Sequence, residues 1–176
     1  MALLKTGLSA LALAGLLAAP LAAQDQSTNR VAAKTDWSVF VEDNPTECWG
    51  VSTPKESVNS RDGRVVAVNR GQTLLMVFYR PSAGANGQVA FTGGYPFASG
   101  STVTVDIGGT SFDMFTEGEW AWPATTADDS KLIAAMKRGA DAKVTGVSGR
   151  GTKTEDTFSL LGFTAAVEDA AKRCGG

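Results

Sequence analysis

The chain has 176 residues, 16 basic and 18 acidic side chains, and a net charge of −2 at pH 7. That length fits one domain with a self-sufficient core, and the mild charge with no basic patch excludes nucleic acid and an anionic membrane surface as obvious partners. There is no histidine, which rules out Ser-His-Asp and Cys-His catalysis and removes the usual ligand of catalytic zinc.

Lys5 precedes an uncharged, Ala/Gly-rich run from Thr6 to Ala23 that Pro20 interrupts. A positive start, a short apolar stretch and small residues before the cut make 1–23 a cleavable export signal, cut after Ala23. A spanning helix wants about 20 strongly apolar residues, which this run does not supply. No later segment is apolar enough to span a bilayer. Export predicts the periplasm, with the outer surface or the medium as further destinations. The two cysteines, Cys48 and Cys174, are expected to pair in that oxidising compartment. Free thiols or a bridge to another chain are the alternatives.

Residues 24–35 are polar and aperiodic and read as a flexible leader, with a single domain over 36–176. Trp37, Val39 and Val41 alternate with Ser38 and Phe40, a strand pattern. Asp43-Asn44-Pro45 is turn chemistry, and Glu47 to Thr53 reads as a second strand. Pro54 to Gly63 reads as a polar loop. Arg64–Asn69 and Thr73–Arg80 read as a hairpin, its second arm continuous enough to be a central strand. After a loop over 81–87 comes a short strand at Gln88–Thr92. Gly108-Gly109 between Thr102–Ile107 and Thr110–Thr116 is a two-residue hairpin signal, and Gly118–Trp122 adds an aromatic segment. Thr126 reads as the cap of a helix carrying Leu132, Ile133 and Met136 on one face and ending at Gly139. Strand character returns over 141–148 and 151–160. Thr164 reads as the cap of a last helix, on which Val167, Ala170, Ala171 and Cys174 share a face. The sum is nine or ten strands and two short helices. That makes a mainly β chain, an antiparallel sandwich or barrel with the helices packed on it.

Chemical motifs are sparse. Gly146-Val147-Ser148-Gly149-Arg150 lacks the last glycine, the following helix and the histidine of a nucleophile elbow, so it reads as a strand-end turn. Gly93-Gly94 with Gly100-Ser101 lacks the lysine of a phosphate loop. Acids gather at Glu42, Asp43 and Glu47, at Asp113, Glu117 and Glu119, at Asp128 and Asp129, and at Glu155 and Asp156. A carboxylate pair about 5–10 Å apart can cleave glycosides, and calcium also takes carboxylates, but solvated loop charge explains these acids more simply. Trp49, Tyr95, Phe97, Trp120 and Trp122 sit in or beside Gly/Pro-rich turns. Trp120 and Trp122 share one side of a strand. Exposed, these aromatics form a binding patch; buried, they close one end of the fold.

Trp37-Ser38-Val39-Phe40, Glu47-Cys48-Trp49-Gly50-Val51, the Gly-Gly-Tyr-Pro-Phe run at 93–97, Gly118-Glu119-Trp120-Ala121-Trp122, Asp156-Thr157-Phe158-Ser159-Leu160 and the following Leu161-Gly162-Phe163-Thr164-Ala165-Ala166 occur in an order that resembles the bacterial invasion-associated locus B family. The resemblance implies a small exported envelope protein of alphaproteobacterial type, from a family named for entry into host cells, with no catalytic residues to carry across. The leading expectation is therefore a non-enzymatic periplasmic or envelope protein that binds an envelope protein, a glycan or a host component, with no cofactor or metal. Its contact surface would be drawn from Tyr95, Phe97, Trp120 and Trp122. The alternative is a carboxylate-dependent hydrolase acting on envelope glycans.

Overall fold

A computed structural model describes residues 27–175; the expected export signal lies outside the described residues. The strands are β1 (Arg30–Lys34), β2 (Trp37–Asp43), β3 (Thr46–Ser52), β4 (Glu56–Arg61), β5 (Arg64–Val65), β6 (Leu74–Arg80), β7 (Ala85–Thr92), β8 (Thr102–Ile107), β9 (Thr110–Glu117), β10 (Trp120–Trp122), β11 (Asp141–Val147) and β12 (Lys153–Ser159). Two helices join them, α1 (Thr126–Met136) between β10 and β11 and α2 (Phe163–Arg173) after β12. All strands belong to one antiparallel sheet in the order β1-β2-β3-β6-β7-β10-β9-β8-β11-β12-β4-β5.

The sheet does not close, but it folds over on itself. Phe91 on β7 meets Phe158 on β12 edge to face at 6.1 Å, although several strands separate them in the order. Phe97 bridges to Ser148, and the Ala98 N–H donates to the Val147 carbonyl at 2.9 Å. The core between the two halves holds Val39, Val77, Val89, Phe91, Val103, Val105, Met114, Val144 and Phe158.

Helix α2 fills the concave side through Phe163, Ala166, Val167 and Ala170. At Gly50 on β3 the helix lies close, a Cβ there falling at ordinary contact distance, 3.6 Å, from the Ala166 methyl. Phe163 meets the Trp37 ring edge to face at 4.8 Å, and the Trp37 indole N–H donates to the Ser159 carbonyl at 2.9 Å. Cys174, at the end of α2, is bonded to Cys48 on β3, with Cα atoms 5.8 Å apart. The single face that the α2 sequence pattern predicts is thus the face that reaches β3.

Four expectations need correction. The leader does not run to residue 35, because Arg30–Lys34 pairs with β2; it is an edge strand, and its side chains are too exposed to leave an alternating pattern. Glu56–Arg61 is a strand, not loop, and the short β5 pairs with it rather than with β6. The strand count is therefore twelve rather than nine or ten. The helix caps also shift. Thr125, not Thr126, accepts from the Asp128 N–H at 3.2 Å, and α2 starts from Gly162, not Thr164. Gly162 has φ +89°, and a Cβ there would lie 1.8 Å from the Lys34 carbonyl oxygen, so only glycine fits this start.

Candidate functional site

An antiparallel sheet with one face on the core normally turns polar residues to water on the other. Here the outer face of β2, β3, β6, β7, β10 and β9 carries a band of apolar residues among polar ones. β6 shows why its sequence is continuous rather than alternating. Leu75, Val77 and Tyr79 face the core, while Met76 and Phe78 are buried in a second cluster with Ala90, against which Trp49, Val51, Leu74 and Trp122 pack.

Strand register carries this band across the sheet. Phe40 lies opposite Trp49, and Trp49 opposite Phe78. Met76 faces Ala90, and Leu74 faces Thr92, which in turn faces Trp120. Trp122 faces Phe115. The rings touch in sequence: Phe40 stacks on Trp49 at 5.5 Å, Trp49 lies 6.0 Å from Phe78, Phe115 lies 5.6 Å from Trp122, and Trp120 stacks beside Trp122 at 6.3 Å. Trp120 is 38% exposed and Phe115 49%. A groove of about 400 Å³ runs along one part of the band, lined by Phe40, Trp49, Val51, Leu74, Met76 and Phe78 and by polar residues that include Asp36, Ser38 and Gln72.

The four aromatics singled out from sequence do not come together. Trp120 and Trp122 lie on the outer band. Phe97 is buried in the core, and Tyr95 packs against it at 5.0 Å on the other side of the fold. Phe40, Phe78 and Phe115 complete the band, as does Trp49, and only register could have gathered them: the β3–β6 and β7–β10 pairings join segments that are distant in sequence.

Tyr95 instead borders an open cleft of about 560 Å³ formed by the 67–70 segment, the Gly94–Pro96 turn and the 148–154 hairpin. Arg70 is fixed at its base. Its Nη1 and Nη2 donate to the two Asp156 carboxylate oxygens at 2.8 and 2.7 Å, and its Nε donates to the Gly93 carbonyl at 2.9 Å. Asp156 is fully buried and also accepts from the Ser57 hydroxyl at 2.6 Å. The Arg70 guanidinium lies 5.1 Å from the centre of the Tyr95 ring. The Tyr95 hydroxyl is hydrogen-bonded to that of Thr154, and burial holds its phenol above the ordinary 10.0. Gly94 is required where the chain crosses itself, since its φ is +70° and a Cβ would fall 2.5 Å from the Gly71 carbonyl oxygen.

Most of the acids found in sequence serve the fold. Glu47 pairs with Arg80, Asp128 with Lys131, and Glu155 with Lys153. Glu42 accepts from Ser27 and Asn29. Asp129 accepts from the Val89 N–H at 2.8 Å and so ties α1 to β7, and burial raises its carboxyl above the ordinary range. Among the described residues no three His, Cys, Asp or Glu side chains gather in a way that would hold a metal, and no helix is long and apolar enough to cross a membrane.

Comparison with known proteins agrees with this architecture. A crystal structure of invasion associated protein B from Bartonella henselae superposes with a TM-score of 0.56 over 82% of this chain and 98% of that one, at 15% identity. At that identity the likeness concerns the fold alone. No curated protein matches the chain. The model of the invasion associated locus B (IalB) protein family matches residues 37–171, which runs from β2 into α2. The chain belongs to the invasion associated locus B family.

Proposed function

We propose that this chain is an exported, non-enzymatic envelope protein that docks a partner protein on the outer aromatic face of its sheet. The observation that carries the reading is the continuous apolar band from Phe40 to Phe115 on a face that water would otherwise cover. At its β10–β9 end Trp120 and Phe115 stand exposed, and exposed apolar clusters of this kind mark interaction sites. Its mixture of Trp and Phe with Met76, Leu74 and Val51 matches the cores of protein interfaces. The Cys48–Cys174 disulfide fits an oxidising compartment, and with the signal-like N-terminus it supports export.

Trp120→Ala with Trp122→Ala tests the reading. Aromatic anchors carry about 2 kcal/mol or more of binding energy each, so the double variant should no longer capture the envelope component that the wild-type chain captures. A Tyr95→Phe variant, on the opposite side, should capture it normally. A captured species that is insensitive to protease, or capture unaffected by the tryptophan changes, would refute the assignment.

A further inference from the structure

We propose that the cleft beside Tyr95 is a second binding site, specific for a small solute bearing an oxyanion, either a carboxylate or a phosphate. The whole chain is net negative, yet Arg61, Arg70 and Arg150 line this cleft against a single acid, Glu119. Arg70 is neutralised by Asp156 beneath it. The other two are not. Arg61 donates only to the neutral Thr152 hydroxyl, at 2.7 Å. Arg150 has no hydrogen bond or ion pair within the chain among the described residues, and neither does Glu119. Against the one Glu119 carboxylate the cleft thus presents two guanidinium groups with no bonded counter-charge, the side chain best suited to gripping a planar carboxylate or a phosphate by two parallel N–H donors.

The wall that carries them is built before any ligand arrives. The 148–152 turn is closed by the Ser148 N–H to the Thr152 carbonyl at 2.9 Å and the Gly151 N–H to the Ser148 carbonyl at 2.8 Å. The Thr152 N–H adds a bond to the Ser148 hydroxyl at 3.1 Å. Across the cleft, the Gly149 N–H donates to the Pro96 carbonyl at 2.9 Å, which locks this turn to the Tyr95 side. Arg61 reaches the same turn from the end of β4 through Thr152. The opposite wall is pinned by Arg70 to β12 and by the Gly71 N–H to the Gly94 carbonyl at 2.8 Å. Binding therefore asks for little backbone ordering, and the Arg150 side chain is the main group left to order, which keeps the cost of a small site low. The cavity, about 560 Å³, lies in the usual range for small-ligand sites, roughly 300–1,000 Å³. The Tyr95 ring, Pro96, Ala67 and Val68 supply the apolar contact for the body of such a solute.

The site is separate from the aromatic band, so its test is too. Titration of the full chain with glucuronate, glucose 6-phosphate and glucose, followed by amide chemical shifts, reads it directly. Shifts should appear at Gly149–Thr152 with one or both charged sugars and be absent with glucose. A response to glucuronate alone assigns a carboxylate site, a response to glucose 6-phosphate alone a phosphate site, and a response to both a general oxyanion site. Charge-assisted hydrogen bonds set the scale: Arg150→Gln should weaken binding about tenfold or more, and Arg61→Gln similarly. Both side chains are exposed, and Arg150 is bonded to nothing, so at least that variant retains the fold. Added salt should weaken binding as well. No shift with either charged sugar at about 10 mM, equal binding of glucose, or unchanged affinity in Arg150→Gln would overturn the proposal.

Discussion

Asp156→Asn exposes the energetics of the cleft base. Asp156 has no solvent exposure and Arg70 only 10%, so their pair is held in a low-dielectric setting whose other close partners are the Ser57 hydroxyl, the Gly93 carbonyl, the Asn59 side-chain carbonyl and the Tyr95 ring. The asparagine keeps the size of the side chain and one acceptor, but it removes the counter-charge and leaves the guanidinium buried without compensation. Breaking a buried pair in this way costs about 3–5 kcal/mol. For a domain of this size each kcal/mol moves the melting temperature by roughly 2–4 °C, so the midpoint should fall by about 6–20 °C. Urea unfolding should show a lower midpoint with an unchanged slope. Arg70→Met combined with Asp156→Leu removes both charges together and should recover most of the loss, because the desolvation cost disappears with the attraction. An Asp156→Asn loss below about 1 kcal/mol, or a double variant as unstable as the single one, would refute the idea that the pair acts as a mutually compensating buried unit.

Removing the Cys48–Cys174 bond by Cys→Ala at both positions opens a loop of 126 residues; the chain-entropy limit is about 5 kcal/mol and measured losses cluster near 2–4, so an unchanged urea midpoint would contradict the bridge, as would alkylation of two thiols without reductant. Gly162→Ala sets a methyl against the Lys34 carbonyl in a left-handed conformation, and should cost at least about 2 kcal/mol by thermal melting. Asp129 has a raised native pKa, so its contribution to stability is complete below the ordinary value of 3.8 and is lost as pH rises through the raised native value. Asp129→Asn keeps an acceptor for the Val89 N–H and should flatten that part of the pH–stability curve, whereas an identical curve would show that the carboxyl does not titrate there. Asp169 works in the opposite sense: Arg173 and then Lys34 hold its carboxyl below the ordinary range, so its stabilisation is present above 3.8 and fades as acid carries the pH down through the lowered native value.

Local chemistry made much of the fold legible. The Gly108-Gly109 hairpin, the central position of β6, both helices and the inward face of α2 all follow from residue periodicity and turn chemistry. The two missed strands, β1 and the run Glu56–Arg61, have no fully buried side chain, and neither the adjacent Val31, Ala32 and Ala33 nor the mostly polar 56–61 run alternates apolar with polar residues. The pairing of β5 with β4 escaped for a related reason: the apolar residues Val66 and Val68 suggested a longer strand, but the chain leaves the sheet there to cross over Gly94.

The candidate surfaces were legible only in part. The shared side of Trp120 and Trp122 follows from strand geometry alone. That Trp49 belongs with them does not, because it requires the β3-β6-β7-β10 order, which joins segments far apart in sequence. Tyr95 and Phe97 look equivalent to the tryptophans in composition, yet the Gly93-Gly94 turn carries them inward. Arg70 and Asp156 are separated by 86 positions, and neither neighbourhood hints at the other.

Docking on this face is tested most directly by a photo-crosslinking residue placed at Phe115, the most exposed aromatic of the band, and in a parallel strain at Lys143, on the outer face of β11. In intact cells the account predicts a discrete crosslinked protein from position 115, none from position 143, and loss of the product when Trp120 and Trp122 are alanine. Equal crosslinking from both positions, or none from position 115, would contradict it.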